Sequence, residues 1–198
     1  NAPILKALSL PLICGITHAW EVGTEQALAE LQTAIEGGLK LIQIRETALP
    51  ATQRASFAAA VVAKVHAAGG IALVNGDHGL AREIGADGVH LPARQLMATS
   101  RRPQAEWCGA SCHDEFEIRR AVELELDYVL LGPLRATPTH PGKPGIGWGR
   151  FAELARGCPV PILALGGLDP QDLDMARSRG AHGIAMVRGA WQGHCSSG

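Results

Sequence analysis

Short apolar runs alternate with longer helical patterns along almost the whole chain. Each run is a nearly continuous hydrophobic stretch, which is typical of parallel strands covered on both faces. The predicted strands are residues 12–16, 39–45, 71–74, 88–91, 107–110, 128–131, 162–165 and 183–187. Eight strands alternating with helices in 198 residues predict an α/β fold, a single-domain (β/α)8 TIM barrel with a short or truncated final helix. An open doubly wound sheet alternates in the same way and stays an alternative.

Four segments between these runs carry apolar residues at helical spacing. They are residues 24–36, 52–68, 114–125 and 170–179. Thr24 is the expected N-cap of the first, while Asp169 is the expected cap of the last, with Pro170 at its first helical position. The longest irregular segment, residues 132–149, follows the sixth strand and would lie on the active-site face of a barrel.

Composition excludes several classes of partner. With 18 basic and 19 acidic side chains, the net charge of −1 offers none of the basic surface that nucleic-acid binding needs. No stretch approaches the roughly 20 apolar residues of a membrane span. The five cysteines lack paired spacing, which favours buried, reduced thiols over disulfides or a metal site. We therefore expect a cytoplasmic protein without nucleic-acid or membrane partners, and we leave a homodimer open.

Glycines follow the last two predicted strands. Gly166 and Gly167 end the seventh strand, and Arg188 and Gly189 end the eighth. Glycine lets a backbone approach an anion, a following short helix would point N–H groups at it, and Arg188 adds charged donors. Because the loops after strands 7 and 8 form the recurrent phosphate site of this fold, we predict phosphate binding here. The simpler alternative is a tight turn.

Two polar side chains alternate along the second predicted strand. Gln43 and Arg45 share one side of it, which in a barrel faces the mouth. An arginine in such a position needs an anionic partner, because an unpaired buried charge is costly. The candidates are Glu46, Glu21 and a ligand phosphate.

The end of the fifth predicted strand carries a candidate acid/base group. Ser111 and His113 also share a side, and imidazole is suited to proton transfer near neutral pH. A structural histidine is the alternative. His90 lies between two apolar residues of the fourth strand, and we expect it in the core.

A series of short motifs resembles the signatures of thiamine-phosphate synthase and its TenI relatives. The motifs are LIQIRE at 41–46, LVN at 73–75, ADGVHL at 86–91, GASCH at 109–113, DYVLLGP at 127–133, TPT at 137–139 and ALGG at 164–167. The resemblance covers nearly the whole chain and implies a barrel that binds a thiazole phosphate. It implies a site with His113 as the catalytic residue. The residues expected to bind the substrate or its phosphate are Gln43, Arg45, Asn75, Ser111, Thr137, Thr139, Gly166, Gly167, Arg188 and Gly189.

The chain departs from the synthase pattern where that branch uses Mg²⁺ and basic side chains to release pyrophosphate. Thr47 and His140 stand where the resemblance predicts lysines, Gly76 stands where it predicts aspartate, and residues 92–95 lack a second aspartate. We therefore expect no cofactor and favour a thiazole tautomerase, an isomerase that needs one acid/base group. The alternative is a true Mg²⁺-dependent synthase, a transferase with Asp77 as a displaced metal ligand.

Finer details resemble the divergent domains fused behind Nudix (MutT-type) hydrolases. The matching segments are SCHD at 111–114, THPG at 139–142, GWGRF at 147–151 and MVRGAW at 186–191. A third alternative is therefore a non-catalytic, ligand-binding C-terminal domain of such a fusion, whose partner would be an 8-oxo-dGTP diphosphatase-type enzyme. Residues 1–198 then form one barrel, Asn1 and Ala2 are a tag remnant, and the fused Nudix domain lies upstream of this chain.

Overall fold

The computed structural model describes residues 2–138, 141–142 and 144–192. Its eight strands are all parallel, and each pairs with its neighbours in chain order. They are β1 Ile13–Ile16, β2 Leu41–Ile44, β3 Ile71–Asn75, β4 Gly88–Leu91, β5 Trp107–Cys112, β6 Tyr128–Leu131, β7 Ile162–Leu165 and β8 Gly183–Met186. Strand β8 pairs with β1, so the sheet closes on itself. The predicted (β/α)8 barrel is confirmed, and the open sheet is excluded.

Helices pack around the outside of the barrel. They are α1 Ala2–Ser9, α2 Ala19–Val22, α3 Thr24–Glu36, α4 Ala51–Ala67, α5 His78–Glu83, α6 Ala93–Ala98, α7 Glu115–Glu123, α8 Gly147–Ala155 and α9 Leu173–Ser178. A 3-10 turn, Pro170–Asp172, leads into α9. Among the described residues, which end at Gln192, no helix follows β8, so the short or truncated final helix stays a prediction. None of the helices described is long and apolar enough to cross a membrane.

Several predicted boundaries are wrong, and the barrel explains why. Strand β2 covers Leu41–Ile44 rather than residues 39–45, because a strand lasts only while its neighbours supply partners, and β1 offers three paired positions. For the same reason β5 extends to Cys112, where it still pairs with β6. The irregular segment predicted to reach residue 149 ends earlier, because α8 begins at Gly147. Helices as short as α5 and α6 lack enough turns to show a period.

The predicted caps give two different outcomes. Asp169 does cap the turn at Pro170, with a reciprocal bond from the backbone of Asp169 to Asp172. Thr24 is not an N-cap: it is the first residue of α3, and Gly23 precedes it with a φ of 89°. A positive φ of this size favours glycine, so the backbone turn fills the role expected of the threonine side chain.

The barrel interior is packed by alternate strand residues. Its cluster of buried side chains comprises Leu10, Cys14, Ile16, Leu41, Leu73, Trp107, Tyr128, Leu130, Leu163 and Ala185. Tyr128 is its largest fully buried member, and its ring occupies space left by Gly109 on the neighbouring strand. A Cβ added at Gly109 would lie 2.1 Å from Cζ of Tyr128. The absence of a side chain at residue 109 therefore makes room for the tyrosine that fills the floor of the barrel.

We expect Gly109→Ala to lower the free energy of unfolding by about 1–3 kcal/mol, since overpacking a tight core forces side chains and backbone apart. Urea unfolding followed by circular dichroism measures this. Gly149→Ala is the matched control, because Gly149 is an exposed helical residue with open space around it. The control should be stabilising by up to ~1 kcal/mol. Equal stability of Gly109→Ala and the wild type would contradict this packing.

Candidate active site

A cavity of about 200 Å³ opens at the carboxyl ends of the strands. It lies toward the β5–β8 side of the mouth, where the loops after these strands surround it, and Ile16 and Arg45 close its other side. Eight predicted site residues line it: Arg45, Ser111, His113, Thr137, Gly166, Gly167, Arg188 and Gly189. The cavity lining in the described part of the chain contains two arginines and no carboxylate.

The other three predicted site residues do not line this cavity in the part of the chain that the structure describes. Gln43 is buried in the barrel at the register position beside Ile16 and is absent from the described lining of the cavity, so its contact with a ligand stays a prediction. Its Nε2 has no hydrogen-bond partner within the described residues. Asn75 ends β3 opposite His90 and does not line the cavity. Thr139 lies outside the described residues.

Arg45 stands at the rim because the chain stays extended past the end of β2. Its backbone N–H donates to Oγ1 of Thr17 over 3.0 Å, and the N–H of Thr17 donates to Gln43. Both acids proposed as partners of Arg45 are engaged elsewhere. The carboxylate of Glu46 accepts from the backbone N–H groups of Ala19 and Trp20, at 2.7 and 3.1 Å.

The second proposed partner, Glu21, pairs with Arg188 instead. This ion pair joins α2 to the loop after β8 and holds the Arg188 guanidinium at the edge of the cavity. Within the described part of the chain, Arg45 forms no ion pair. Its charge therefore has only a ligand or water to neutralise it.

The glycines after β7 are required first by packing. Gly166 has a φ of 118°, and a Cβ there would lie 2.6 Å from the backbone of Pro133 and Leu134. The loop after β6 is bound at this point, since the Leu134 N–H donates to Leu165 over 2.8 Å. Gly167 and Gly189 lie outside helices and strands, and neither of their N–H groups donates to a described backbone acceptor. These two N–H groups are available to donate to an anion in the cavity.

An ion pair clamps this glycine loop from outside. The guanidinium of Arg135 donates to both carboxylate oxygens of Asp172, over 3.0 and 2.8 Å, and also to the carbonyl of Gly167 over 2.8 Å. The hydrogen bond from Arg135 lowers the pKa of Asp172 below its ordinary value. No sequence motif pointed to this pair, because residues 135 and 172 meet only when the loops after β6 and β7 are adjacent.

His113 lines the cavity as an oriented imidazole. Its Nδ1 lies 2.9 Å from Oε2 of Glu117, one turn into α7, and the same oxygen accepts from the His113 backbone at 2.6 Å. An ionised carboxylate only accepts, so Nδ1 carries the proton and Nε2 is the nitrogen left for a ligand. Sequence reasoning missed Glu117. Its signal was the helix-start pattern of Asp114 followed three residues later by glutamate.

The predicted core role of His90 is confirmed, and so is the buried-thiol prediction for three of the four described cysteines, whereas Cys158 is only partly buried. His90 is fully buried, and burial, followed by the charge of Arg45, lowers its pKa to about 3. Cys14, Cys108, Cys112 and Cys158 are free thiols, the first three buried, and Cys195 lies outside the described residues. Burial raises the pKa of Cys112, so the one thiol that lines the cavity stays protonated and is a poor nucleophile.

The residues present fit a metal ion poorly. Asp77, the displaced ligand of the synthase alternative, caps α5, and its Oδ1 accepts from Leu80 over 2.9 Å. Gly76 before it has a φ of 73°, a conformation that an aspartate at this position would strain. Among the residues that the structure describes, no group of three metal-binding side chains comes together.

Comparison with known proteins agrees with this architecture. The sequence matches the family described as thiamine monophosphate synthase over residues 13–190. The chain belongs to this family. A relative named thiamine-phosphate synthase in Thermus thermophilus is 34% identical over 167 residues, covering 83% of this chain and 81% of its own length. One of the same name in Nostoc punctiforme is 32% identical over 177 residues, covering 85% of this chain.

The chain spans about half the length of the cyanobacterial relatives that it matches, 49% in the case of Nostoc punctiforme. Among solved structures, a thiamine phosphate pyrophosphorylase from Pyrococcus furiosus superposes with a TM-score of 0.75 at 18% identity. The superposition covers 98% of this chain and 94% of that one. At this identity the likeness concerns the family's barrel fold alone.

We expect Asp172→Asn to lower the free energy of unfolding at neutral pH by less than about 1 kcal/mol, the size typical of partly exposed ion pairs. The pKa of Asp172 is lowered in the folded state, so its contribution is present above the ordinary value of 3.8 and lost as the pH falls through the lowered one. Denaturant unfolding at a series of pH values measures the difference between the two proteins, which should shrink in acid. Glu153→Gln, in an exposed pair on α8, is the control. A difference that grows on acidification would contradict the prediction.

Proposed function

We propose that the mouth of this barrel binds a small phosphorylated molecule of the thiazole-phosphate class, in thiamine biosynthesis or salvage. The observation that carries the proposal is the pair of arginines, Arg45 and Arg188, in a cavity whose described lining holds no carboxylate. The N–H groups of Gly167 and Gly189 have no backbone acceptor among the described residues, which suits a phosphate, as the loops after the seventh and eighth strands do in this fold. The cavity of about 200 Å³ is below the ~300–1,000 Å³ of drug-sized sites, which favours one small ligand.

The proposed reaction is tautomerisation of a thiazole carboxylate phosphate, with His113 as acid and base. Its Nε2 takes a proton from one carbon of the ligand, and the resulting imidazolium returns a proton to another carbon of the same molecule. Glu117 holds the ring in place and accepts from Nδ1 throughout, so it stabilises the imidazolium. The reaction is balanced in protons and needs no metal or oxidant.

The relatives favour a second candidate, because the proteins of 34% and 32% identity are named thiamine-phosphate synthase. A synthase joins the thiazole phosphate to a pyrimidine, and Mg²⁺ would neutralise the departing pyrophosphate. Asp77 is the one acid next to the expected position, and its Oδ1 is already engaged by the backbone of α5. We therefore rank the synthase second. Mg²⁺-dependent condensation of the two phosphorylated halves would establish it, and absence of turnover at high enzyme concentration would reject it.

A third candidate is a ligand-binding domain of a Nudix hydrolase fusion, proposed from the motifs at residues 111–114 and 186–191. Ligand binding without turnover in either assay, together with a native gene that encodes a Nudix hydrolase upstream, would support it.

The free thiols of the described cysteines support our proposal of a cytoplasmic location, where thiols stay reduced.

His113→Ala should slow the tautomerase reaction by about 10²–10⁴-fold, the usual contribution of a positioned acid/base group. The assay follows exchange of carbon-bound protons for deuterium by NMR in the carboxythiazole phosphate isomers. His66→Ala is the matched control, since His66 also pairs with a carboxylate at 2.9 Å and is similarly exposed, but lies at the other end of the barrel. Unchanged exchange in His113→Ala would remove the assigned role.

Arg45→Met should weaken binding of the carboxythiazole phosphate by about tenfold or more, since hydrogen bonds to charged groups contribute about 1.5–3 kcal/mol. Isothermal titration calorimetry measures the dissociation constant. Arg150→Met, which removes an exposed arginine paired with Glu153 on α8, should leave it unchanged. Equal affinity of Arg45→Met and the wild type would show that the anion binds elsewhere.

A further inference from the structure

Three side chains form a hydrogen-bonded relay from the sealed barrel interior to the mouth cavity. The phenol oxygen of Tyr128 lies 2.9 Å from Nδ1 of His90, and Nε2 of His90 lies 2.8 Å from Oγ of Ser111. The three residues belong to the adjacent strands β6, β4 and β5. Tyr128 and His90 are fully buried, whereas Ser111 lines the cavity.

The imidazole of His90 is neutral, so it carries one proton. Burial among apolar side chains disfavours its charged form, and the nearby Arg45 adds to the effect, which together lower the pKa of His90 to about 3. A neutral imidazole has one donor nitrogen and one acceptor nitrogen. The relay can therefore run in only two directions, according to which nitrogen is protonated.

The need of the buried phenol proton for a hydrogen-bond acceptor decides between these two directions. The hydrogen bond to Nδ1 of His90 is the only one that the Tyr128 hydroxyl makes within the described part of the chain. If Nδ1 held the proton, the phenol proton would have no acceptor in the core, and buried donors are rarely left unpaired. Tyr128 therefore donates to Nδ1, the imidazole proton resides on Nε2, and Nε2–H donates to Ser111.

We infer that Tyr128 and His90 are positioning residues that fix the Ser111 hydroxyl as a hydrogen-bond donor to an oxygen of the anionic ligand. Because one lone pair of Oγ is occupied by His90, the serine's own proton is directed away from the relay and into the cavity. The inference rests on the proposed function and deepens it. Ser111 then favours an atom that only accepts, such as a phosphate or carboxylate oxygen, over an N–H or amine group.

Gly109 is part of this arrangement. It leaves the space in which the Tyr128 ring reaches across β5, and a Cβ there would lie 2.6 Å from the phenol oxygen. The same recess accommodates phenylalanine, which has the ring without the hydroxyl. Tyr128→Phe consequently removes the relay while keeping the packing of the barrel floor.

The first test is the protonation of His90 in the free protein. Two-dimensional ¹H–¹⁵N NMR that detects couplings across the imidazole ring distinguishes the Nε2–H form from the Nδ1–H form. We expect Nε2–H in the wild type near neutral pH, and a mixture of both forms in Tyr128→Phe, whose Nδ1 has lost its donor. A wild-type ring protonated on Nδ1, or on both nitrogens, would overturn the inference, whatever the protein binds.

The second test is a double-mutant cycle on affinity for the carboxythiazole phosphate. Tyr128→Phe and Ser111→Ala should each weaken binding by about threefold to tenfold, the size of one hydrogen bond. If Tyr128 acts through Ser111, the double variant should bind no worse than Ser111→Ala. Additive losses would overturn the relay, because they would mean that Tyr128 affects binding independently of Ser111.

Substitutions of His90 separate the relay from packing. His90→Gln can place an amide N–H near Nε2 and a carbonyl oxygen toward Tyr128, so it should retain affinity within about threefold. His90→Leu fills the space with an apolar group, so it should fold yet bind as weakly as Ser111→Ala. Equal affinities of the two variants would overturn the relay in favour of packing alone.

Inorganic phosphate is titrated as a second probe, followed by ³¹P NMR. Binding of neither phosphate nor the carboxythiazole phosphate would overturn the ligand assignment of Ser111 together with the proposed function. A Nδ1–H signal with intact ligand binding would overturn the relay and leave the proposed function in place. The two failures are therefore distinguishable.

Discussion

Closure of eight parallel strands into one ring is the constraint on which the other features depend. Closure brings neighbouring backbones so close that some positions tolerate no side chain. A Cβ at Gly88, Gly132 or Gly183 would lie 1.8 to 2.0 Å from a carbonyl oxygen in the adjacent strand or in the residue just before it. In return, the ring directs alternate side chains inward, where apolar residues fill the floor and polar ones reach the mouth. The site is built on strand ends that cannot move independently.

Charge distribution in the mouth follows from how its acids are used. Glu46 binds the backbone at the start of α2, and Glu21, on the same helix, pairs with Arg188. One short helix thus engages both acids nearest the second strand, and Arg45 faces the cavity without an ion-pair partner among the described residues. A guanidinium that is partly withdrawn from water attracts anions more strongly than a fully solvated one, because the local dielectric constant is lower. The two residues that sequence reasoning offered as partners of Arg45 contribute to the site by being occupied elsewhere.

Agreement with the family is clearer in the barrel of this chain than at the positions expected to hold a metal ion. The barrel, the motifs and the match over residues 13–190 are those of the thiamine monophosphate synthase family. Residue 76 is a glycine with a positive φ and so offers no carboxylate to a metal ion. The carboxylate of Asp77 already caps α5. The His113 imidazole, by contrast, is oriented by a hydrogen bond between its Nδ1 and the carboxylate of Glu117. The fold and the family are therefore established by the barrel and the motifs, whereas the reaction depends on the few residues at its mouth.

The sequence by itself determined the alternation of strands and helices and which side chains lie at the mouth of the barrel. Continuous apolar runs specify buried parallel strands, and residues just after them, such as His113 and Arg188, fall at the mouth of any such barrel. These are local patterns that need no knowledge of neighbours. Boundaries such as the early end of β2 were decided only in the tertiary structure, because a strand ends where its partners end.

Pairings across the barrel were likewise decided only by tertiary structure. The partners are far apart in the sequence: 37 residues separate Arg135 from Asp172, and 38 separate His90 from Tyr128. Nothing in the sequence around one partner indicates the other. The direction of each hydrogen bond depends on which acceptors remain once the core is closed. Burial also turned His90 from an ordinary titratable group into a neutral one. Sequence determines which groups are available, whereas packing decides which of them meet and which proton each one holds.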